Sequence, residues 1–179
     1  SRWGHLAVYF TALGGVIRRT SPPQPSIGAR RERGSGVSRR PRLTAVCGVG
    51  MAPLAVALKQ VGHDVTGSDI QAYPPMSEVL ASAGIRILEG FSAKHLEPRP
   101  DLVVIGNAVP KTNPEAQEVE RAGIPRISFP EAVARLLIDG SRSLVVAGTH
   151  GKTTTTGMMA FVLDAAGVTP GYLVGGRVP

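Results

Sequence analysis

The sequence has little cysteine and no long apolar run. Its single cysteine, Cys47, excludes an internal disulfide framework and fits a reducing compartment. No segment approaches the roughly 18 consecutive apolar residues that suggest a membrane-spanning helix, so we expect a soluble, cytoplasmic protein. The four histidines are scattered, without metal-ligand spacing to Cys47 or to one another. No internal repeat is present.

The formal net charge of +7 belongs to the beginning of the chain. Residues 1–42 hold nine arginines and one acidic residue, whereas residues 43–179 hold eleven basic and twelve acidic residues. The larger part of the chain is therefore nearly neutral, and we expect no nucleic-acid partner. The alternative is an arginine-rich arm whose binding to DNA or RNA depends on salt and is lost when residues 1–42 are deleted.

Residues 1–42 have the composition of a disordered basic extension, because they combine arginine runs with Pro/Gly/Ser-rich stretches. Their one apolar patch, residues 6–17, has about the length of a signal-peptide core. A secretory signal, a transit peptide and a nucleic-acid arm are alternatives. We favour a non-native extension that precedes a true start near Leu43, since the chain begins with Ser1.

Residues 43–69 have the pattern of a βαβ unit. An apolar strand at 43–47 leads through Gly48-Val49-Gly50 to a helix over 51–61, and a second strand ends at Ser68-Asp69. A carboxylate about 20 residues after the first glycine is typical of dinucleotide-binding folds, where it bonds a ribose hydroxyl. Pro53 replaces the third glycine of that motif, so an ordinary NAD site is the minority interpretation.

The middle of the chain continues the alternation of helices and strands, which predicts a parallel α/β sheet. A helix is predicted over 76–83, strands at 85–88, 102–105 and around 126–128, and a helix from Pro130 to Leu137. Asn107 follows the strand at 102–105, and ligands gather at such carboxyl ends. It is a candidate contact or a simple turn residue. Asn113-Pro114-Glu115 predicts a capped helix start.

The most specific motif is Gly148-Thr149-His150-Gly151-Lys152-Thr153-Thr154, between an apolar strand and a helix. A glycine-rich turn in this position directs backbone N–H groups at an anion, and the helix dipole favours negative charge there. Lys152 suits the outer phosphates of a nucleotide, and the hydroxyl of Thr153 suits Mg²⁺. Val146 stands where the full phosphate-loop pattern has its first glycine.

These residues resemble the Mur ligase family of bacterial cell-wall enzymes over 43–179. The histidine form of the loop occurs in two kinds of member, which join UDP-N-acetylmuramate to a murein tripeptide or to L-alanine. The tripeptide enzyme, which serves murein recycling, is the better match. The segments that favour it are Cys47-Gly48, Ser68-Asp69, Tyr73-Pro74-Pro75-Met76-Ser77, Ile105-Gly106-Asn107-Ala108 and Pro170-Gly171-Tyr172.

The resemblance implies ATP and Mg²⁺ as cofactors and an acyl-phosphate intermediate. The residues implied for ATP are Gly148, Thr149, His150, Gly151, Lys152, Thr153 and Thr154. By the same resemblance, Lys152 and Thr153 are expected to have the catalytic roles, and Thr153 to bind the metal. The residues implied for the UDP-sugar are Gly48, Val49, Gly50, Met51, Ala52, Ser68, Asp69 and Asn107.

We therefore expect three parts: a disordered basic extension (1–42), a Rossmann-like UDP-sugar domain (43–139), and the first strand, phosphate loop and helix of a truncated ATPase domain (140–179). Such a piece alone is expected to bind weakly and not to turn over. The L-alanine ligase and a dinucleotide-binding module without ligase activity stay as alternatives, and the oligomeric state is open.

Overall fold

Eight strands and five α-helices follow one another in the computed structural model, which describes residues 6–9, 39–138, 142–168 and 170–173. The strands are β1 (Leu6–Tyr9), β2 (Pro41–Thr44), β3 (Thr66–Asp69), β4 (Arg86–Glu89), β5 (Leu102–Ile105), β6 (Arg126–Ser128), β7 (Arg142–Val145) and β8 (Gly171–Leu173). The helices are α1 (Met51–Gln60), α2 (Met76–Ser82), α3 (Pro114–Arg121), α4 (Phe129–Ala132) and α5 (Lys152–Ala165). A 3₁₀ helix at Ala93–Leu96 and a π-helix at Val133–Ile138 complete the set.

The main sheet has five parallel strands in the order β4-β3-β2-β5-β6. In its register Leu43 of β2 lies between Gly67 of β3 and Val104 of β5. Helical segments join successive strands, as parallel pairing requires. The predicted parallel α/β sheet is thus confirmed, and the strand order places β2 at its centre.

Apolar residues cover both faces of this sheet. One face carries the larger core, where Leu43 and Val104 pack with the fully buried Leu54 and Leu58 of α1. The other face carries a smaller cluster, in which Val103 of β5 contacts residues of α3 and of the 3₁₀ helix. Burying one such leucine side chain stabilises the fold by roughly 1.5–3 kcal/mol.

A second, three-stranded parallel sheet has the order β7-β1-β8. Its central strand, β1, belongs to the segment 1–42 that was predicted to be disordered. For residues 6–9 that prediction is wrong, because they form a strand. The sequence Leu-Ala-Val-Tyr contains residues that favour strands, and it obtains ladder partners on both sides from residues distant in sequence. The other predicted disordered residues, apart from 39–42, lie outside the described part, as does the predicted domain boundary at 139–140.

The first strand of the main sheet begins at Pro41, two residues earlier than predicted and inside the segment predicted to be a disordered extension. β2 ends at Thr44 instead of continuing to Cys47, because Ala45 adopts a left-handed backbone conformation with φ of 61°. This turns the chain out of the ladder, and Gly48 N then donates to the carbonyl of Ala45 at 3.2 Å. A turn therefore begins three residues before the first glycine of the motif.

The predicted start of α3 is confirmed in detail. Asn113 caps the helix by accepting hydrogen bonds from the backbone N–H groups of Glu115 and Ala116, and Pro114 is its first residue. The helical segment after β6 also extends as far as predicted, but its second part has π geometry. Within the described residues, no helix combines the length and apolar character that crossing a membrane requires.

Candidate nucleotide-sugar edge and phosphate loop

The loop between β7 and α5 is an exposed, glycine-containing turn at the N-terminus of α5. Gly148 and Gly151 both have positive φ, 156° and 73°, and Gly151 is the N-cap of α5. A side chain would be strained at either position. Helix formation begins at once, since Thr155 N donates to the Gly151 carbonyl at 2.9 Å. The first N–H groups of this 14-residue helix thus lie at the loop.

Lys152 lies at the first position of α5, and its side chain folds back over the loop. Its Nζ donates to the carbonyl oxygen of Thr149 at 2.8 Å. The neighbouring Thr153 is half-buried, whereas His150 and Thr154 are exposed. The structure therefore brings together the seven residues that the sequence motif assigned to ATP.

Thr156 lies one turn further along α5. It is completely buried, and its hydroxyl has no hydrogen-bond partner among the described residues. A buried hydroxyl without a partner loses its hydration without compensation. The run of threonines that begins beside the loop thus ends with a buried hydroxyl in α5 that lowers the stability of the fold.

The second candidate site lies at the carboxyl edge of the main sheet, where the turn after β2 is fixed by the end of β3. Val46 N donates to the Ser68 carbonyl at 3.0 Å, and Cys47 N donates to Asp69 Oδ2 at 2.8 Å. Gly48 and Val49 follow and are exposed. This tip of the turn is the part that a ligand can reach.

The other predicted sugar-site residues in this region have different surroundings. Met51 and Ala52 are buried in the first turn of α1, and Ala52 N donates to the Gly48 carbonyl at 2.9 Å. Ser68 is completely buried, and its Oγ donates to Glu115 Oε2 at 2.5 Å. Its side chain therefore stabilises the fold beneath the edge. Asp69 is half-buried and Gly50 lies against the ring of Phe129.

Asn107 lines a cleft of about 460 Å³ at the ends of β5 and β6. It is exposed and follows Gly106. The other lining residues are Ile105, Gly106, Arg126, Ile127, Ser128 and Glu131. The predicted contact thus lies in a concave, polar surface beside the turn after β2.

Two cleft residues were missed by the sequence interpretation. Ser128 and Glu131 form a capping box at the start of α4, in which Ser128 N and Oγ donate to Glu131 Oε2 at 2.9 and 2.8 Å. These bonds, with the Arg135 charge, lower the pKa of Glu131. The serine-x-x-glutamate spacing is typical of a capping box, and it could have predicted that both residues lie at the start of a helix.

The thiol of Cys47 lies beside the Asp69 carboxylate. Burial, then the charge of Asp69 and a hydrogen bond with it, raise the pKa of Cys47 to about 11. A thiol with this pKa is protonated at neutral pH and is a weak nucleophile. Cys47 is thus a structural residue of the turn.

Comparison with known proteins identifies the family to which this fold and these loops belong. The Mur ligase family, catalytic domain, matches residues 42–140. The chain belongs to the Mur ligase family. Members of this family are ATP-dependent ligases and generally use Mg²⁺.

Two curated Mur ligases show the extent of the similarity. The UDP-N-acetylmuramate–L-alanyl-γ-D-glutamyl-meso-2,6-diaminoheptandioate ligase of Escherichia coli (strain K12) is 44% identical over 137 residues, covering 76% of this chain and 30% of that protein. The UDP-N-acetylmuramate–L-alanine ligase of Rubrobacter xylanophilus is 46% identical over 136 residues, with 76% and 30% covered. The chain thus spans about 30% of the length of these relatives.

Solved structures of Mur ligases agree with the fold. The UDP-N-acetylmuramate:L-alanyl-γ-D-glutamyl-meso-diaminopimelate ligase from Neisseria meningitidis has a TM-score of 0.75 and 38% identity, covering 79% of this chain and 44% of that one. The UDP-N-acetylmuramate-alanine ligase from Thermotoga maritima has a TM-score of 0.71 and 30% identity, with 78% and 32% covered. The five-stranded sheet is therefore that of the Mur ligases.

Proposed function

We propose that this chain supplies the UDP-N-acetylmuramate site and the ATP phosphate loop of a longer ligase. That enzyme would join UDP-N-acetylmuramate to the tripeptide L-alanyl-γ-D-glutamyl-meso-diaminopimelate. The observation that carries the proposal is the β7–loop–α5 segment, in which Gly151 caps the helix and Lys152 lies over the loop. This segment belongs to a member of the Mur ligase family whose relatives include tripeptide ligases.

The residues present fit ATP and Mg²⁺. An alanine Cβ built at Gly151 would meet no atom within 4 Å, so the N-terminus of α5 is open to a phosphate group. Lys152 can exchange its bond to the Thr149 carbonyl for one to an outer phosphate, and Thr153 offers a hydroxyl to Mg²⁺. The nucleotide supplies the phosphoryl group that activates the lactyl carboxylate. The protein contributes positioning and charge neutralisation.

At the other site, the exposed tip of the turn after β2 suits a nucleoside diphosphate because it precedes the N-terminus of α1. Asp69 lies behind the tip, and Asn107 lies in the adjacent cleft. We assign the UDP-sugar to this edge. In the reaction the activated carboxylate is attacked by the amine of the second substrate, a tetrahedral intermediate forms, and phosphate leaves.

The second candidate is ligation to L-alanine. It is favoured by the Rubrobacter xylanophilus L-alanine ligase, which is 46% identical. The two functions differ only in the amine, so the longer enzyme should be assayed for ATP-dependent ligation with each amine separately. Faster turnover with L-alanine than with the tripeptide would replace the first proposal by the second.

Isothermal titration of this chain tests the two binding sites. We expect weak binding of UDP-N-acetylmuramate and none of NAD; the opposite result would indicate a dinucleotide-binding module. Mg·ATP should bind to the unmodified chain and at least about tenfold more weakly to Lys152→Ala, which loses a cation at the phosphates. Lys94→Ala, at an exposed position of the 3₁₀ helix, is the matched control and should leave the affinity unchanged. Equal affinities in all three proteins would contradict the assignment of Lys152.

A further inference from the structure

A buried carboxylate lies beneath the candidate UDP-sugar edge. Glu115 belongs to the first turn of α3, and its side chain has no exposed surface. Its Oε2 accepts hydrogen bonds from Thr44 Oγ1 at 3.0 Å and from Ser68 Oγ at 2.5 Å. Its Oε1 lies 2.9 Å from His95 Nδ1 and 3.4 Å from Ser92 N. A carboxylate suits this position because it accepts several hydrogen bonds at once.

These contacts join segments that are distant in sequence. Thr44 is the last residue of β2, Ser68 is the penultimate residue of β3, and Ser92 and His95 belong to the connection between β4 and β5. β2 and β3 end at the carboxyl edge of the sheet, and the connection after β4 begins there. Glu115 therefore fixes the relative positions of the strand ends from one central point.

One set of contacts continues from Glu115 to the turn after β2. Ser68 donates its hydroxyl to Glu115 while its carbonyl accepts from Val46 N at 3.0 Å. The next residue, Asp69, accepts from Cys47 N at 2.8 Å. The position of this turn thus depends on the end of β3, which Glu115 holds.

A second set of contacts continues to the loop that carries Asn107. Glu115 N donates to the side chain of Asn113 at 2.9 Å, and Asn113 N donates to the Pro110 carbonyl at 3.0 Å. Val109 N in turn donates to the Gly106 carbonyl at 3.0 Å. The two sides of the candidate sugar site therefore meet at one residue.

We propose that Glu115 is a positioning residue for the nucleotide-sugar site: its carboxylate holds the turn at 45–50 through Ser68 and Thr44, while its backbone N–H ties the start of α3 to Asn113 and so to the loop at 106–113. The proposal rests on the assignment of the UDP-sugar to this edge. Glu115 does not touch the ligand itself; it is covered by α3 and by the strand ends.

Amide hydrogen exchange of the 179-residue chain, followed by NMR, tests the positioning without a ligand. In Glu115→Ala the hydroxyls of Ser68 and Thr44 lose their acceptor, so the amides of Val46 and Cys47 should exchange about tenfold faster, or more, relative to the Val104 amide in β5. Glu115→Gln keeps one carbonyl oxygen and should restore most of the protection. Glu118→Ala removes a half-buried carboxylate of the same helix that is bonded to Arg121 instead of to the strand ends, so as the matched control it should leave exchange at Val46 and Cys47 unchanged.

Binding of UDP-N-acetylmuramate, measured by titration, gives the second readout. Affinity should fall about tenfold in Glu115→Ala, recover in Glu115→Gln and stay unchanged in Glu118→Ala. If the unmodified chain binds no UDP-N-acetylmuramate, the assignment of the ligand fails, while the exchange data still decide whether Glu115 positions the turn.

Two outcomes would overturn the positioning role. One is unchanged exchange at Val46 and Cys47 in folded Glu115→Ala; the other is uniform acceleration of all amides, which indicates a residue that only stabilises the fold. Should Glu115→Ala not fold, Ser68→Ala removes the hydroxyl that links Glu115 to the end of β3, whose Ser68 carbonyl and Asp69 carboxylate hold the turn. Ser68→Ala should show the same faster exchange at Val46 and Cys47. Unchanged exchange of these two amides in Ser68→Ala would also reject the proposal.

Discussion

The Asp69 carboxylate accepts a 2.8 Å hydrogen bond from the backbone N–H of Cys47, across the two strand ends that border the candidate sugar site. In dinucleotide-binding folds an acidic residue at this point of the βαβ unit bonds a ribose hydroxyl. Here one carboxylate oxygen of Asp69 stabilises the turn after β2. The spacing between Gly48 and Asp69 is thus also explained by a structural contact within the protein.

Ala45→Gly should stabilise the protein. Ala45 is the one described residue other than glycine with a positive φ, 61°, and the left-handed conformation costs an L-residue about 1–2 kcal/mol. Part of the gain is lost to the greater freedom of glycine in the unfolded chain. We expect the free energy of unfolding in urea to rise by roughly 0.5–1 kcal/mol. Ala81→Gly, at an exposed position of α2, should lower it by a similar amount.

Gly67→Ala should destabilise the main sheet. A Cβ at this position would lie 2.6 Å from Val46 Cγ1 and 2.7 Å from Val46 Cγ2, distances at which atoms must move. Overpacking in a buried region costs about 1–3 kcal/mol, so we expect a loss of this size in urea unfolding. Gly171→Ala in β8 meets no atom within 4 Å and serves as the control. Equal stability of the two variants would contradict the close approach of Val46, in the turn after β2, to β3.

Thr156→Val should raise stability. The valine side chain has nearly the shape of threonine, and it removes a buried hydroxyl that has no partner among the described residues. The expected gain is about 1 kcal/mol, measured by thermal or urea unfolding. Thr155→Val, at the adjacent exposed position, should change stability little. A loss of stability in Thr156→Val would show that the hydroxyl makes a favourable bond.

The rate of Cys47 alkylation should rise at a higher pH than is usual for a cysteine. Because burial and Asp69 raise the pKa of this thiol to about 11, its thiolate is scarce at pH 7–9 and increases as the pH approaches 11. We expect slow reaction with iodoacetamide near neutral pH and a steep increase above pH 9. In urea the same single cysteine should react with an ordinary pH profile.

Asp69→Asn is the matched variant for this measurement. Removing the charge lowers the pKa of Cys47, although burial, the larger cause, remains. The alkylation rate at pH 9 should therefore increase without reaching that of the unfolded chain. Rapid alkylation of the unmodified folded protein at pH 7 would contradict the buried environment of the thiol.

Local signals accounted for most of the fold. Asn113 and Pro114 fixed the start of α3 because capping depends on neighbouring residues alone, and the apolar run at 102–105 could only be a buried strand. Ala45 shows the limit of this approach. Ala45 lies within an apolar run that predicts a longer strand. The chain turns there instead, because the residues after Ala45 form hydrogen bonds with the end of β3, which is distant in sequence.

The strand, loop and helix around residues 148–154 were predictable in the same way, because the strand, glycines, lysine and helix are contiguous. The geometry of the candidate sugar edge was predictable only in outline. Nothing near Glu115 in the sequence distinguishes a buried carboxylate from a solvated helix-start residue, since Ser68, Thr44 and His95 reach it only in the folded chain. The exposure of Gly48 and Val49 and the burial of Ser68 likewise depend on tertiary packing.

The central position of β2 also bears on the order in which the sheet assembles. Arg42 of β2 pairs with Thr66 on one side and with Val103 on the other, so the second pairing closes a much longer segment of chain. Closing a longer loop costs more entropy, and non-local pairings form more slowly. We therefore expect β2, β3 and β4 to form with α1 and α2 before β5 and β6 dock. Glu115, whose contacts need both parts, then becomes ordered late in folding.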